Sequence, residues 1–254
     1  MARIFFALSV VSVTLLLITI GLGFWVDDVY GKSVAFQETQ KKVRERERDT
    51  RNAAPDEELE QLNQELEVAG DALYKANRQK MIHFSFGVLT TLVVVLVNCV
   101  SVTYFIGTQR WCREVVETYR LDDDLLEQST ALKRTAFPWA LLGIVTVLFI
   151  AAFGASSDPA ANYETAGDWM PLHRIVAIMG TIAIAWAYLV QVGKVGANYE
   201  LILEILGKAD RIREAARARA LAESQSAEQV SEGEPQAETE EQPSGNQADV
   251  QEKA

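Results

Sequence analysis

His83 and His173 are the only two imidazoles in the 254-residue chain, and they carry its most specific chemistry. An imidazole nitrogen is a common metal ligand and an axial ligand of haem iron. Each histidine stands just before an uncharged apolar run, residues 84–107 and 175–193. If these runs are the second and fourth of four membrane crossings, their helices point the same way and both imidazoles lie near one membrane face. Two histidines so placed could ligate a b-type haem or another metal. The plainer alternative is that a polar-tipped side chain sits at a helix end because that end is wet.

The remaining chemistry is sparse. Cys99 and Cys112 lie on one helix, about 20 Å apart along its axis at 1.5 Å per residue, so they cannot pair with each other within the chain. No Cys-x-x-Cys or Cys/His ligand spacing is present, which removes the disulfide framework and the structural zinc site. Cys112, beside Trp111, reads as a free thiol, with palmitoylation as the alternative. A glycine-rich phosphate loop, a Gly-x-Ser-x-Gly elbow and a His-Glu-x-x-His helix are all missing. The acidic clusters at 56–60 and 122–124 stand where helices begin, and capping accounts for them without a metal.

Four uncharged apolar runs must position these groups: residues 4–26, 84–107, 135–157 and 175–193. Each is long enough to cross a hydrocarbon core of roughly 30 Å. The first is too long for a signal peptide and has no small-residue cleavage site after it. The expected fold is an all-α membrane protein, a bundle of four transmembrane helices with an extramembrane antiparallel helical hairpin between spans 1 and 2. Its parts are span 1 (1–26), a coiled-coil-like hairpin (27–80), span 2 (81–107), a cytoplasmic helical connection (108–134), span 3 (135–157), a short outer loop (158–171), span 4 (172–195), a cytoplasmic amphipathic helix (196–222) and a disordered acidic tail (223–254).

Within the hairpin, the first arm is polar on nearly every side, with Val43 as its evident core candidate. In the second, Leu59, Leu62, Leu66, Ala69, Leu73 and Ala76 recur at spacings of three and four, a heptad seam. The same alternation continues through Lys80, His83, Gly87, Thr90, Val94, Val97, Ser101 and Tyr104. A single helix from about residue 55 to residue 107 or beyond therefore carries both the hairpin seam and the second span, with His83 on the seam. The apolar runs hold Thr90, Thr91, Asn98, Cys99, Ser101, Thr146, Thr181 and Gln191 but no Asp, Glu, Lys or Arg. Ion-coupled transport commonly uses such charges, so a small channel or carrier is the weakest reading. Asn98 is expected to make an interhelical hydrogen bond.

The net charge of -11 is unevenly spread. Residues 223–254 hold nine acidic residues against Lys253, a balance of -8, which leaves -3 for the rest of the chain. That excludes a nucleic-acid footprint, which needs clustered positive charge. Basic residues near the membrane ends favour the side of the N-terminus by eight to six (Arg3, Arg110, Arg113, Arg120, Lys133, Arg134, Lys194 and Lys208 against Lys32, Lys41, Lys75, Arg78, Lys80 and Arg174). The positive-inside rule then puts both termini in the cytoplasm, in a membrane expected to be the bacterial inner membrane.

With catalytic constellations absent, the expected role is noncatalytic: a scaffold, assembly or sensor-like subunit acting through helix–helix contacts. The partners are the lipid bilayer and other membrane-protein subunits or a second copy of the chain. The contact surfaces are Leu59, Leu62, Leu66 and Leu73 on the seam and Ile202, Ile205 and Ile212 on the last helix. No cofactor is expected on that reading. The alternative is a redox membrane subunit binding haem b through His83 and His173.

Overall fold

In a computed structural model, the described residues are 2–49, 57–158 and 165–232, and all their regular structure is helical. Among the described residues there are five helices: α1 (Ala2–Trp25), α2 (Val29–Asp49), α3 (Glu57–Tyr119), α4 (Asp123–Ser156) and α5 (Ala166–Glu232). Four of the helical segments are long and apolar enough to cross a membrane, which fits an integral membrane protein. By its contacts the chain divides into residues 1–208 and 209–254.

The joints follow local chemistry. Between α1 and α2 the Asp28 carboxylate accepts the Gly31 amide at 2.8 Å, an N-cap bond for the opening turn of α2. Asp27 pairs with Lys32 across the same joint. That hydrogen bond, joined by the Asp28 amide, holds the Asp27 carboxyl below its ordinary value. α3 ends where Arg120 takes a left-handed conformation, φ 50°, and the Leu121 amide reaches back to the Val116 carbonyl at 3.0 Å. This is the hydrogen bond of a left-handed helix cap, made here without glycine.

α3 joins the seam and the second span in one helix of 63 residues, about 95 Å long. Every seam position from Leu59 to Tyr104 is at least partly shielded, and Ala76, Thr90, Val94, Val97 and Ser101 are buried. The neighbour at the N-terminal end of α3 is α2: Phe36 touches Gly70, and Arg46 meets Glu58 at 2.8 Å. Val43 is buried, as its lone apolar position in a polar arm requires.

Three boundaries differ from the sequence reading. The connection expected at 108–134 does not end before the third span, because α4 runs unbroken from Asp123 through Pro138. Proline removes only the bond to the carbonyl four residues earlier, that of Arg134, which is exposed and can be met from outside. The loop expected at 158–171 is shorter, since α5 begins at Ala166 with Asp168 in its first turn, where a negative charge is favourable. Finally, α5 continues to Glu232, ten residues into the expected tail. The stretch is rich in Ala, Glu and Gln, good helix formers. The remainder of the tail, 233–254, lies outside the described residues, as do residues 50–56 of the expected hairpin.

In the first unit α1 lies beside α3, with Thr19 and Thr90 hydroxyls 2.8 Å apart, and beside α5, with Ser12 and the Tyr188 hydroxyl 3.0 Å apart. α4 touches α3 where Gly143 meets Asn98, and α5 where Gly180 meets Ile150. α3 and α5 meet across the middle. The main apolar core includes Phe5, Leu16, Val94, Val97, Phe105 and Ile184, and a second cluster gathers Cys112, Val116, Leu125, Leu201 and Ile205.

Candidate functional site

α3 and α5 run in parallel with a register offset of about 90 residues. Thr108 lies 3.0 Å from Asn198 and Gln191 lies 3.1 Å from Asn98. At the other end of the same register stand His83 and His173, their ring centroids 6.4 Å apart and their planes at 70°. The two histidines singled out in the sequence are thus brought together.

Each ring rests on a glycine of the adjacent helix. A Cβ built on Gly23 of α1 would come within 3.1 Å of His83 Cε1, and one built on Gly154 of α4 would come equally close to His173 Cε1. His83 Nδ1 lies 3.1 Å from the carbonyl oxygen of Thr19, four residues before Gly23. A carbonyl only accepts, so Nδ1 holds the proton and Nε2 keeps the lone pair that a metal would use. His173 is half-buried in the same way, with the backbone of Ile150, four residues before Gly154, as its neighbour. Its Nδ1 completes no hydrogen bond. α1 with α3, and α4 with α5, therefore build the two halves of the site alike.

Polar contacts pin the helix ends around the pair. Lys80, one turn before His83, meets Asp158, two residues past the end of α4, at 3.0 Å. The guanidinium of Arg174 sits 5.8 Å above the ring of Phe24 in α1. Gln79 accepts the Asp27 amide at 3.1 Å. These ties link α3 to α4 and α5 to α1, across the two halves, so the separation of the histidines is fixed from both sides.

The three-and-four spacing of Ser9, Ser12, Leu16, Thr19 and Gly23 already marks Thr19 and Gly23 as part of a small, polar stripe for close helix packing; their place beside His83, and Ile150 and Gly154 altogether, were missed. Their signal was present: Gly23 and Gly154 each stand four residues before an aspartate, Asp27 and Asp158, at the end of an odd-numbered apolar run. The proposed partner surfaces fare differently. Leu59, Leu62, Leu66 and Leu73 are partly shielded along α3, and Ile202 packs beside the second apolar cluster. Ile205 is a correction: it is fully buried among Cys112, Val116, Leu125 and Leu201 and has no surface left for a partner. Ile212 is exposed. Cys112 is buried as well, out of reach of a lipidating enzyme, and burial raises its thiol above the ordinary value.

Comparison of the chain with protein-family models, with curated proteins and with solved structures returns no match.

Proposed function

We propose that the protein is an integral membrane subunit that holds a b-type haem between His83 and His173 and passes electrons through it. The observation that carries this reading is the 6.4 Å separation of two histidines from different helices, the only two in the chain. One metal centre between two imidazoles needs roughly 6 Å between ring centres: about 2 Å of bond on each side, and about 1 Å from nitrogen to ring centre. The donor set favours haem over a bare ion. Among the described residues no group of three His, Cys, Asp or Glu side chains gathers. A tetrahedral ion needs four ligands, whereas haem brings four nitrogens of its own and asks the protein only for axial ligands. Gly23 and Gly154 suit the role, since a side chain at either would crowd an imidazole and displace it from its present position.

Haem held by His83 and His173 would supply one-electron transfer. The residues of the chain do the positioning. The Thr19 carbonyl fixes the tautomer and the rotation of His83, and the Lys80–Asp158 and Arg174–Phe24 contacts hold the helix ends at a set distance. In the membrane, α2 and the N-terminal part of α3 form an exoplasmic antiparallel hairpin, both termini are cytoplasmic, and the bilayer is a bacterial inner membrane. The eight-to-six distribution of basic residues supports this orientation. The histidine pair then lies toward the outer face, at the level where Trp25 and Trp169 mark one interface.

Expression with ample haem followed by purification tests the reading. A Soret band is expected, and it should be lost in His83→Ala and in His173→Ala; colourless wild-type protein sinks the proposal.

A second reading, the noncatalytic scaffold or assembly subunit, is favoured by a separate observation. Tyr199, Leu203 and Leu206 recur at helical spacing beyond the fourth apolar run and are 47%, 49% and 40% exposed. Such a stripe suits another helix, from a second copy or another membrane subunit. Mild crosslinking in the native membrane tests it, and a strictly monomeric, partner-free protein counts against it.

A further inference from the structure

The bundle is built from two like halves. Phe5, Ser9, Ser12 and Leu16 of α1 are buried, and so are Ala136, Ala140, Gly143 and Val147 of α4, each 131 residues later. Val94, Asn98, Ser101 and Phe105 of α3 are matched in the same way by Ile184, Tyr188, Gln191 and Val195 of α5, each 90 residues later. The contacts match as well: Ser12 meets Tyr188 as Gly143 meets Asn98, and Thr19 lies beside Thr90 as Ile150 lies beside Gly180. The correspondence reaches only to Ala2 of α1, the counterpart of Lys133. α4 begins ten residues before Lys133, at Asp123, and these extra turns seat Leu125 among Cys112, Val116, Leu201 and Ile205, all exposed by 5% or less. The counterparts of those four are Ile202, Leu206, Trp111 and Val115. They are left open: Leu206 is 40% exposed where Val116 is 2%, and Trp111, Val115 and Ile202 are half-buried. Gln109 is held by Thr130 and Lys133 of α4, whereas its counterpart Tyr199 is 47% exposed.

We propose that Trp111, Val115, Ile202 and Leu206 form a docking groove for a short amphipathic helix of another protein, which lies end to end with α1 and repeats there what the first turns of α4 do in the other half. The groove continues an interface already made, that of α1 on α5 at Phe5, Ser12 and Tyr188. It also lies past the apolar runs 84–107 and 175–193, where an open apolar patch faces water and marks a binding surface. The chemistry of the occupant follows from α4, which presents Leu125, Ser129 and Leu132 on one side of the helix: Leu125 fills the cluster, Ser129 lies beside Cys112, and Leu132 packs against both apolar clusters. In the open groove the bulkier Ile202 stands in the place of Cys112, so the middle residue must be smaller, and the motif becomes Leu-x-x-x-Ala-x-x-Leu. A second copy has no such segment to lend, because its own Leu125 and Ser129 are each 1% exposed. Residues 227–254 hold Val230 and Val250 as their only large apolar side chains, too few for this motif. The groove is independent of whatever the histidines hold; it rests on the scaffold reading and names the kind of helix that reading calls for.

A fluorescein-labelled peptide with the sequence of residues 122–133 and the change Ser129→Ala, titrated against the full chain in lipid nanodiscs and read by fluorescence anisotropy, tests this. Saturable binding is expected, and it should be lost when the peptide also carries Leu125→Glu. In the Leu206→Glu protein, whose altered side chain is already part-exposed, affinity should fall by about tenfold or more, the worth of one leucine contact. Three outcomes overturn the proposal: binding no stronger than that of a scrambled peptide; equal affinity in a Leu206→Glu protein that keeps its helical circular dichroism, which puts the peptide elsewhere, on lipid or in place of α4; or self-association of the unliganded chain that Leu206→Glu abolishes, which gives the groove to a second copy. A chain that crosslinks to partners in its native membrane but does not bind the peptide sinks the groove and leaves the scaffold reading standing.

Discussion

Two glycines in α1, two residues apart, should respond oppositely to the same added methyl group. An ideal Cβ on Gly21 meets nothing within 4 Å. One on Gly23 stands 3.1 Å from His83 Cε1, 3.5 Å from Nδ1 and 3.7 Å from Nε2. Carbon atoms prefer about 3.5–4.0 Å, so the imidazole must retreat by about 0.4–0.9 Å or be squeezed in place. Overpacking of this kind costs about 1–3 kcal/mol. Retreat also endangers the 3.1 Å bond from Nδ1 to Thr19. Against this, replacing glycine by alanine inside a helix gains about 0.5–1 kcal/mol at either position. Gly21→Ala should therefore stabilise slightly, and Gly23→Ala should be less stable than Gly21→Ala by about 1–3 kcal/mol. Reversible unfolding in mixed micelles titrated with SDS measures the difference. Gly154→Ala should behave like Gly23→Ala, because His173 Cε1 is equally close. If Gly21→Ala and Gly23→Ala unfold within about 0.5 kcal/mol of each other, as surface substitutions do, His83 does not rest on Gly23 and the geometry of the site is wrong.

Three further outcomes are expected. Asn98→Leu removes bonds to the Val94 carbonyl, Tyr188 and Gln191 and strands the Gln191 amide; at about 0.6 kcal/mol per interhelical bond and about 1–3 for the stranded group, the loss in the same titration should be about 2–4 kcal/mol. In a Cys99→Ala background, maleimide labelling of folded protein should be slow near neutral pH and still rising at pH values where an ordinary thiol has reached its plateau, since burial raises the Cys112 thiol and the thiolate is the reactive form; a plateau at the ordinary pH contradicts the burial. Lys32→Met should let the Asp27 carboxyl rise toward its ordinary value, read by NMR titration, because the Lys32 hydrogen bond is the main cause of its depression. A depressed carboxyl stabilises the folded form above its unfolded-state value and loses that contribution as pH falls, so the α1–α2 joint should loosen in acid in wild type and less so in the variant.

How much of this was legible in the sequence depends on whether period or proximity carried the information. The three-and-four alternation from Leu59 to Tyr104 is a local pattern, and α3 follows it for its whole length. The helix ends were less legible because they depend on competition: the change from charged to apolar composition after Lys133 and Arg134 reads as a boundary, yet α4 runs through it and past Pro138. The histidines were visible as types and as positions on parallel helices, but their partners were not. Gly23 lies 60 residues from His83, and although it shares a three-and-four stripe with Ser12, Leu16 and Thr19 that leaves Gly21 out, that stripe marks close packing of helices and not a histidine. What did mark it was recurrence, since Gly23 with Asp27 and Gly154 with Asp158 sit alike at the ends of two runs, each facing one histidine. A side chain needed only to fill space would have no reason to be built twice from the same parts. Two imidazoles held back by two glycines, at a distance suited to one metal centre, have such a reason. For that reason the histidine pair, rather than the longer and more regular seam of α3, is where the function of this chain is to be sought.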